Sequence, residues 1–230
     1  MVTPLRSGPG RHMTIWCAVI GALITIGCSV GSGSDDRADT GDGEQPGGQP
    51  SATAPDDWFE AATYTGSGDD VVELPDGIEA GIVTASHDGS NAFSLNMIDD
   101  NNETTWDAMV ITIGSYHGSH AFGLESLGNA PTKIEITADG NWEITIAHLS
   151  TAPVLELPVT GEGDQVFQYE TAATEWALSF DGDSAFTIDL SGEAFGGVFE
   201  MGPYEGTIAV SAGEGILAVT GEGSWTISEA

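Results

Sequence analysis

Short runs in which apolar and polar residues alternate, separated by glycine-rich turns, fill most of the chain after residue 56. Between Phe93 and Met97, and again between Trp142 and Ile146, every second residue is apolar. A two-residue period is typical of a β-strand that buries one face, whereas an amphipathic helix has a period of about 3.6 residues. Since no long stretch with the helical period appears outside the N-terminus, the pattern predicts an all-β protein.

The same pattern predicts the individual strands in the first half of this region. They are Ala61–Thr65, Asp70–Leu74, Ala80–Ser86, Ala92–Met97, Ala108–Gly114, Ser119–Gly123, Lys133–Thr137 and Trp142–His148. Short strands in this number, with turns between them, favour a β-sandwich. A closed barrel has the same local pattern, so the sequence leaves that alternative open.

One short signature occurs twice and closes each half of the region. It reads Ala-Asp-Gly-Asn-Trp at residues 138–142 and Gly-Glu-Gly-Ser-Trp at residues 221–225. Each copy predicts an acidic turn that leads into the closing strand of a domain. Gly140 and Gly223 are the residues expected to supply the backbone freedom that such a turn requires.

The tryptophans that end the two signatures are expected to be buried and structural. Trp142 and Trp225 stand at equivalent positions, and each opens a strand with an alternating apolar face. The alternative is an aromatic platform that stacks on sugar rings. For that role Trp58, Trp106 and Trp176 are the better candidates, because the other copy has no tryptophan at their positions.

Further matches follow in the same order in both halves. They pair residues 65–69 with 160–164, residues 87–95 with 180–188, and residues 114–119 with 202–207. We therefore predict two related β-sandwich domains in tandem, one at 57–150 and one at 151–230. His87 of the first copy is Phe180 in the second. The second copy is the shorter, and the missing residues are predicted mainly around Asp99–Thr105.

The first 27 residues have the features of a bacterial lipoprotein signal peptide. Residues 1–13 carry two arginines and no acidic residue, and residues 14–27 are largely apolar. This run ends in Ile-Thr-Ile-Gly-Cys, which resembles a lipobox and predicts that Cys28 carries the lipid after cleavage. Thr25 departs from the usual leucine, and ordinary secretion with cleavage elsewhere is the alternative.

The segment after the signal peptide predicts a tether. Residues 28–56 are rich in Gly, Ser, Asp and Pro and contain no aromatic residue. Such a composition cannot bury enough apolar surface to fold, so we expect a disordered linker that holds the domains away from a lipid surface.

The net charge of the chain limits which partners and which kind of membrane attachment we expect. The chain has 36 acidic residues against 4 Lys and Arg, and a formal net charge of −32. Nucleic acids and anionic membrane surfaces both need basic side chains, so neither is expected as a direct partner. A lipid on Cys28 is then the predicted membrane attachment, and the predicted location is the cell surface, at the outer face of the cytoplasmic membrane.

A metal site is suggested at one place only. Asp99, Asp100, Asn101 and Glu103 offer hard oxygen donors within one loop, which is the ligand type that Ca²⁺ prefers. The spacing is not that of an EF-hand, so a solvated connecting loop is the expected role and Ca²⁺ binding is the alternative. No other cofactor is expected.

Catalytic patterns are weak. Ser86, His87 and Asp88 are consecutive, so they cannot converge as a triad on a strand. His117 and His120 would lie on opposite faces of a strand, and both are expected to be ordinary exposed histidines. The sequence contains no nucleophile elbow, phosphate loop or HExxH motif. We therefore expect no enzymatic activity, and a hydrolase with paired carboxylates is the weaker alternative.

The repeated segments themselves resemble a known kind of protein. Gly-x-Gly-Asp-x-Val-Val, Ser-His-Asp-Gly-Ser-Asn-Ala-Phe, Ile-Gly-Ser-Tyr-His-Gly-Ser and Ala-Asp-Gly-Asn-Trp are similar to repeats of secreted bacterial proteins, in particular actinobacterial surface lipoproteins. The resemblance implies an architecture and a location but no catalytic residues. The expected function is a non-enzymatic interaction or structural module of the envelope, whose partner is a glycan or another surface protein. A carbohydrate- or calcium-binding module is the alternative.

Overall fold

The computed structural model describes residues 58–105, 110–124, 129–191 and 196–230. The predicted signal peptide, Cys28, the predicted tether and Trp106 lie outside these residues. The described chain is built of β-strands joined by turns and one short 3-10 helix at Leu149–Thr151. In that part of the chain, no helix is long and apolar enough to cross a membrane.

The first repeat consists of two four-stranded antiparallel sheets. Its strands are β1 (Ala62–Ser67), β2 (Asp70–Glu73), β3 (Gly81–His87), β4 (Ala92–Ile98), β5 (Val110–Ile113), β6 (Tyr116–Phe122), β7 (Lys133–Thr137) and β8 (Asn141–Ala147). One sheet has the order β1-β8-β3-β6 and the other has the order β2-β7-β4-β5.

The second repeat has the same topology. Its strands are β9 (Val159–Glu162), β10 (Gln165–Thr171), β11 (Thr174–Gly182), β12 (Ala185–Leu190), β13 (Gly196–Met201), β14 (Tyr204–Val210), β15 (Gly213–Thr220) and β16 (Gly223–Glu229). Its sheets run β9-β16-β11-β14 and β10-β15-β12-β13, so each strand of the first repeat has a counterpart eight strands later.

This strand order identifies the type of sandwich. The first strand of each repeat pairs with the last, and the chain changes sheet repeatedly between them, which is the order of an eight-stranded jelly roll. The all-β fold and the tandem β-sandwich organisation predicted from the sequence are confirmed. Every strand predicted in the first repeat is present, and the largest error is at β6, which begins at Tyr116 instead of Ser119.

Each sandwich has its own core between its two sheets. In the first, Phe93, Ile134, Ile144 and Ile146 are fully buried, and in the second the largest buried side chains are Trp176 and Trp225. These residues lie at alternate positions of central strands, so one face of each strand supplies the core. The alternation that predicted the strands also selected these core residues.

The second copy is shortened in three loops. Equivalent residues lie 95 apart at Gly66 and Gly161, 93 apart at Phe93 and Phe186, 88 apart at Tyr116 and Tyr204, and 83 apart at Trp142 and Trp225. Two residues are lost between β2 and β3, five are lost between β4 and β5, where the sequence predicted the shortening, and five are lost between β6 and β7. The prediction that one loop accounts for most of the difference was therefore wrong.

The two repeats touch through a small apolar cluster, which we call the repeat junction. Ile82 of the first repeat, Ala152 of the connection, and Val166 and Ile216 of the second repeat form its buried centre. Both repeats belong to one compact unit. Part of the outer face of β10 and β15, at Val166 and Ile216, is thus buried against the first repeat near β6.

Candidate functional site: the repeat junction and two exposed edge strands

The duplicated signature forms an interlocked pair of turns. In the first repeat, the carboxylate of Asp88 accepts hydrogen bonds from the backbone and side chain of Asn141, at 2.7 and 2.9 Å. The carboxylate of Asp139 accepts in return from the backbone and side chain of Asn91. A Cβ on Gly140 would lie 2.5 Å from the nitrogen of Gly89, so only glycine lets the two turns approach this closely.

The second repeat keeps this arrangement with different side chains. The backbone N–H of Glu222 donates to the hydroxyl of Ser184 at 2.8 Å. A Cβ on Gly223 would lie 2.8 Å from the Cα of Gly182. The glycines of the signature therefore allow backbone contact between turns, and the acidic residues of the first copy hold those turns together.

The pKa values of the signature carboxylates reflect the same contacts. Hydrogen bonds from the side chain and then the backbone of Asn141 lower the pKa of Asp88. A hydrogen bond from the Asn91 backbone lowers the pKa of Asp139. Both carboxylates are thus held ionised as hydrogen-bond acceptors of the fold.

Trp142 and Trp225 are buried at matched positions, as the sequence predicted. Their exposed fractions are 4% and 2%. The indole Nε1 of Trp142 donates to the carbonyl of Gly68 at 2.9 Å, and that of Trp225 donates to Gly163 at 2.8 Å. Each ring therefore joins the closing strand of its repeat to the turn that follows the first strand.

His87 serves as a core aromatic residue. Its ring stacks on Phe93 with centroids 4.5 Å apart, and the matching Phe180 stacks on Phe186 at 4.6 Å. The Nδ1 atom of His87 lies 2.9 Å from the carbonyl of Gly114, which requires the proton on Nδ1 because a carbonyl only accepts. His87 points inward while its chain neighbours lie on the outer face, so the three consecutive residues form no triad.

The loop proposed for calcium is organised around one carboxylate. Asp99 is buried, and its side chain accepts from the backbone N–H groups of Asn101 and Glu103 at 2.8 and 2.9 Å and from the Asn129 amide at 2.6 Å. The Glu103 and Asn129 bonds are the main reason that the pKa of Asp99 falls to about 2. Its oxygens are engaged by N–H donors, and Asp100 is exposed.

Across the described residues, no three His, Cys, Asp or Glu side chains are grouped so that they could hold a metal ion. The oxygen donors predicted for Ca²⁺ therefore share a loop without being gathered at a common point in this structure. Calcium binding stays an untested alternative of the sequence analysis.

A second carboxylate, Asp164, links the repeats. Its Oδ2 atom accepts from the hydroxyl of Tyr116 at 2.8 Å and lies 2.9 Å from Nε2 of His120. Its Oδ1 atom accepts from the backbone N–H of Gly221 at 2.9 Å. The backbone also contributes, because the N–H of Ser119 donates to the carbonyl of Asp164 at 2.9 Å. The prediction of an ordinary exposed histidine was wrong for His120, which is 12% exposed, and right for His117.

The geometry of Asp164 explains its ionisation. Burial raises its pKa, but the hydrogen bond and charge of His120, together with the bonds from Gly221 and Tyr116, outweigh burial and lower the pKa. Burial and the Asp164 charge raise the pKa of Tyr116. The group is therefore an ionised carboxylate held by three donors.

Comparison of the repeats shows where this link comes from. Asp69 of the first repeat occupies the position of Asp164, and its Oδ1 atom accepts from the backbone N–H of Ala138 at 3.0 Å. The carboxylate thus belongs to the duplicated turn. At the position of His120 the second repeat has Ile208. The link between the repeats therefore combines Asp164, an aspartate that both repeats have, with His120, a histidine that only the first repeat has.

A cleft of about 410 Å³ opens beside this link, between the repeats. Its walls include Tyr116, His120 and Asp164 together with Ile111 and Ala185. Across it, the hydroxyl of Thr112 on β5 donates to the carboxylate of Glu222 at 2.5 Å. The edge strand of the first repeat therefore lies against the signature turn of the second.

Two pairs of large apolar side chains are exposed on strands at the ends of two sheets, and we call them the edge pairs. Ile111 and Ile113 on β5 are 72% and 82% exposed, and Phe199 and Met201 on β13 are 70% and 68% exposed. β5 and β13 are equivalent strands, and each is the last strand of its sheet. Residues 106–109 and 192–195, which precede these strands, lie outside the described part of the chain.

The two edge pairs occupy the same register. Ile113 pairs with Ala92 as Met201 pairs with Ala185, and both alanines begin the neighbouring strand. Ile111 and Phe199 stand opposite Ser94 and Thr187 in the same way. Beside each edge pair the next strand thus carries small side chains, which leaves the large ones projecting. Sequence reasoning missed these residues, although their duplication was a readable signal.

The three tryptophans predicted as candidates for sugar contact differ in their exposure to solvent. Trp176 is 1% exposed and packs in the core of the second repeat, so its selection was wrong. Trp58 is 46% exposed and lies 5.2 Å, centroid to centroid, from the ring of His148. Trp106 lies outside the described residues. A sheet face lined by several exposed tryptophans is not seen in the described part of the chain.

Comparison with known proteins adds little. No protein-family profile and no curated protein matches the chain. Among solved structures, the chain is similar to a conserved protein of unknown function from Pseudomonas aeruginosa PAO1, at 10% identity over 74% of this chain and 83% of that one, with a TM-score of 0.24. A likeness this distant identifies neither a family nor a function, and the resemblance to actinobacterial surface lipoproteins stays a prediction.

Proposed function

We propose that the protein is a lipid-anchored, extracytoplasmic interaction module without enzymatic activity. The observation that carries this proposal is the pair of equivalent edge strands, each with two large apolar side chains exposed to solvent. Apolar surface of this kind on a soluble domain is typical of a site that another molecule covers.

The duplication strengthens the proposal. Single exposed apolar residues are normal on protein surfaces and need no explanation. Here Ile113 and Met201, and likewise Ile111 and Phe199, occupy the same register in two copies whose surrounding sequences have diverged. Unprotected edge strands with apolar side chains also favour unwanted aggregation, which gives a reason to avoid them unless they have a use.

The polar groups support binding over catalysis. The carboxylates of Asp88, Asp99, Asp139 and Asp164 are all engaged by hydrogen-bond donors of the fold, and the pKa of each is lowered. A general acid at neutral pH needs a raised carboxyl pKa instead. These four groups are therefore better suited to holding turns and the repeat junction than to transferring protons.

The location within the proposal rests on the N-terminal sequence. The lipobox-like run before Cys28 predicts a diacylglyceryl anchor, and the acidic composition disfavours direct contact with anionic lipid. Residues 28–56 would then separate the two sandwiches from the membrane. In that setting the edge pairs would face other components of the envelope.

The test combines anchoring with contact in the cell. We expect the full chain to partition with membranes and the Cys28→Ser variant to appear in the medium. A photocrosslinking amino acid in place of Ile113 should give a discrete adduct in cells, and the same amino acid in place of Glu135, which is exposed on the same sheet, should not. Equal labelling at both positions, or none at either, would contradict an interaction module. Unchanged membrane partition of Cys28→Ser would contradict the anchor.

A further inference from the structure

The edge pairs also restrict the chemistry of the partner, and the inference below rests on the interaction role proposed above. We propose that each edge pair binds an extended, cationic segment of a partner polypeptide, which adds as a further strand to β5 or to β13. The recognised pattern is an apolar residue, a Lys or Arg, and a second apolar residue.

Strand addition follows from the position of the edge pairs. β5 and β13 end their sheets, and within the described residues each pairs with one strand only, β4 or β12. The outward backbone groups of such a strand are available to a new strand, which contributes main-chain hydrogen bonds while its side chains select the sequence. An added strand would place its alternate side chains beside those of the edge pair.

The positive charge of the partner follows from the residue between the two apolar side chains. On β13, Glu200 stands between Phe199 and Met201 and is exposed. On β5, the equivalent residue is Thr112, whose hydroxyl holds the exposed carboxylate of Glu222 at 2.5 Å. In both edge pairs the position between the two apolar residues along the strand therefore carries or holds a carboxylate. Glu200 supplies it on β13, and Glu222 supplies it at β5.

The charge of the rest of the described surface disfavours two other occupants, a second copy of this chain and an anionic membrane. Lys133 is the one Lys or Arg in the described residues, and its ammonium lies 3.3 Å from the side-chain oxygen of Asn102. A second copy of this chain would bring a strongly acidic surface to an acidic edge. An anionic membrane would meet the same repulsion, since like charges placed together disfavour association.

Elsewhere in the described residues there is no equivalent site. The outer face of the opposite edge strand, β2, exposes Val71, but its counterpart Val166 is buried in the repeat junction. An exposed apolar residue there has no duplicate, which makes Val71 a suitable control for the edge pairs.

The test measures binding of a model peptide to the full chain carrying Cys28→Ser. The probe is an acetylated octapeptide of alternating valine and lysine, titrated calorimetrically at low and at high salt. We expect two sites per chain, with an affinity that falls as salt rises. Replacing lysine by glutamate in the peptide should abolish binding. N-methylation of alternate peptide nitrogens should also abolish it, because it removes main-chain donors while leaving charge and apolar surface in place.

Variants then locate the sites. Phe199→Thr with Met201→Thr should reduce two sites to one, and Ile111→Thr with Ile113→Thr should do the same. Glu200→Gln should weaken the β13 site by about tenfold and reduce its salt dependence. Val71→Thr should change nothing. All these positions are exposed, so thermal unfolding should be unaffected, and slowed amide exchange in β5 and β13 on peptide binding gives a readout that does not depend on any variant.

Several outcomes would overturn the proposal. Binding of the N-methylated peptide at full affinity would show that the peptide binds without main-chain hydrogen bonds, and therefore not as an added strand. Two intact sites in the Phe199→Thr, Met201→Thr variant would place the peptide elsewhere. Sedimentation with zwitterionic or anionic vesicles, or self-association of the chain, that is lost in this variant would identify a lipid surface or a second copy as the occupant. If the peptide fails while position 113 still forms an adduct in cells, the partner chemistry is wrong and the interaction role stands.

Discussion

The indole ring of Trp142 lies against Gly66 on the neighbouring strand, where any side chain would overlap the ring. Trp225 lies on Gly161 in the same way in the second repeat. The first glycine of each Thr-Gly-x-Gly-Asp segment is thus explained by the tryptophan of the closing signature. Sequence segments about 75 residues apart along the first repeat form one structural unit.

The first prediction concerns this glycine. Gly66→Ala should destabilise the first repeat by about 1–3 kcal/mol, because the new methyl group forces the Trp142 ring out of its place. Gly161→Ala should have the matching effect on the second repeat. Denaturant unfolding with tryptophan fluorescence measures both. Ser67→Ala, at the next and exposed position of β1, is the control and should be nearly neutral.

The second prediction concerns the tryptophans themselves. Trp142→Ala should cost the first repeat roughly 3–5 kcal/mol, through lost burial and a cavity in the core. Trp225→Ala should do the same to the second repeat and leave the first largely folded, since each sandwich has its own core. Amide exchange resolved by residue can follow each repeat separately. A Trp142→Ala variant with unchanged stability and impaired glycan binding would instead assign the residue to a ligand site.

The third prediction concerns the link between the repeats. A double-mutant cycle of His120→Ala and Asp164→Ala should give a coupling free energy of about 0.5–3 kcal/mol, because the two side chains meet at 2.9 Å with little exposure. His120→Ile, which installs the residue of the second repeat, should loosen the junction without disturbing either core. Faster amide exchange or faster proteolysis near the connection between the repeats would show that the junction has loosened. A coupling of zero would mean that the contact between His120 and Asp164 does not help to hold the repeats together.

The fourth prediction is a pH dependence at Asp99. Its pKa is lowered to about 2, against about 4 for an unfolded aspartate. A lowered carboxyl pKa means that the ionised form stabilises the folded loop above pH 4, and that this contribution is lost as the pH falls through 4 toward 2. Amide exchange of Asn101 and Glu103 should accelerate over that interval. In Asp99→Asn these amides should exchange faster already at pH 7.

The fifth prediction concerns calcium. Because the oxygens of Asp99 already accept from N–H donors, we expect Ca²⁺ or a chelator to leave the thermal unfolding of the full chain unchanged. Scanning calorimetry with excess Ca²⁺, and then with excess chelator, is the measurement. A stabilisation that grows with Ca²⁺ concentration would indicate a site, and its loss in Glu103→Gln would place that site in this loop.

Much of the fold is determined by local features of the sequence. Alternation with a period of two residues depends only on whether a strand has one buried face, so it predicted the strands and core residues such as Phe93 and Ile144. The duplicated segments predicted two related domains, and equal burial of Trp142 and Trp225 followed from their equal places. These features can be predicted from the sequence because each depends on the residue types within one short segment of the chain.

Other features were decided only by tertiary structure. Ile111 and Ile113 alternate like core residues, yet they face solvent because β5 is the last strand of its sheet and its other face covers the core. His120 is held by Asp164 because the two jelly rolls pack at one particular place. Periodicity records which residues share a face, but strand order and domain packing determine what that face meets. The physical reason is that these contacts join segments far apart in sequence, whose pairing no local pattern encodes.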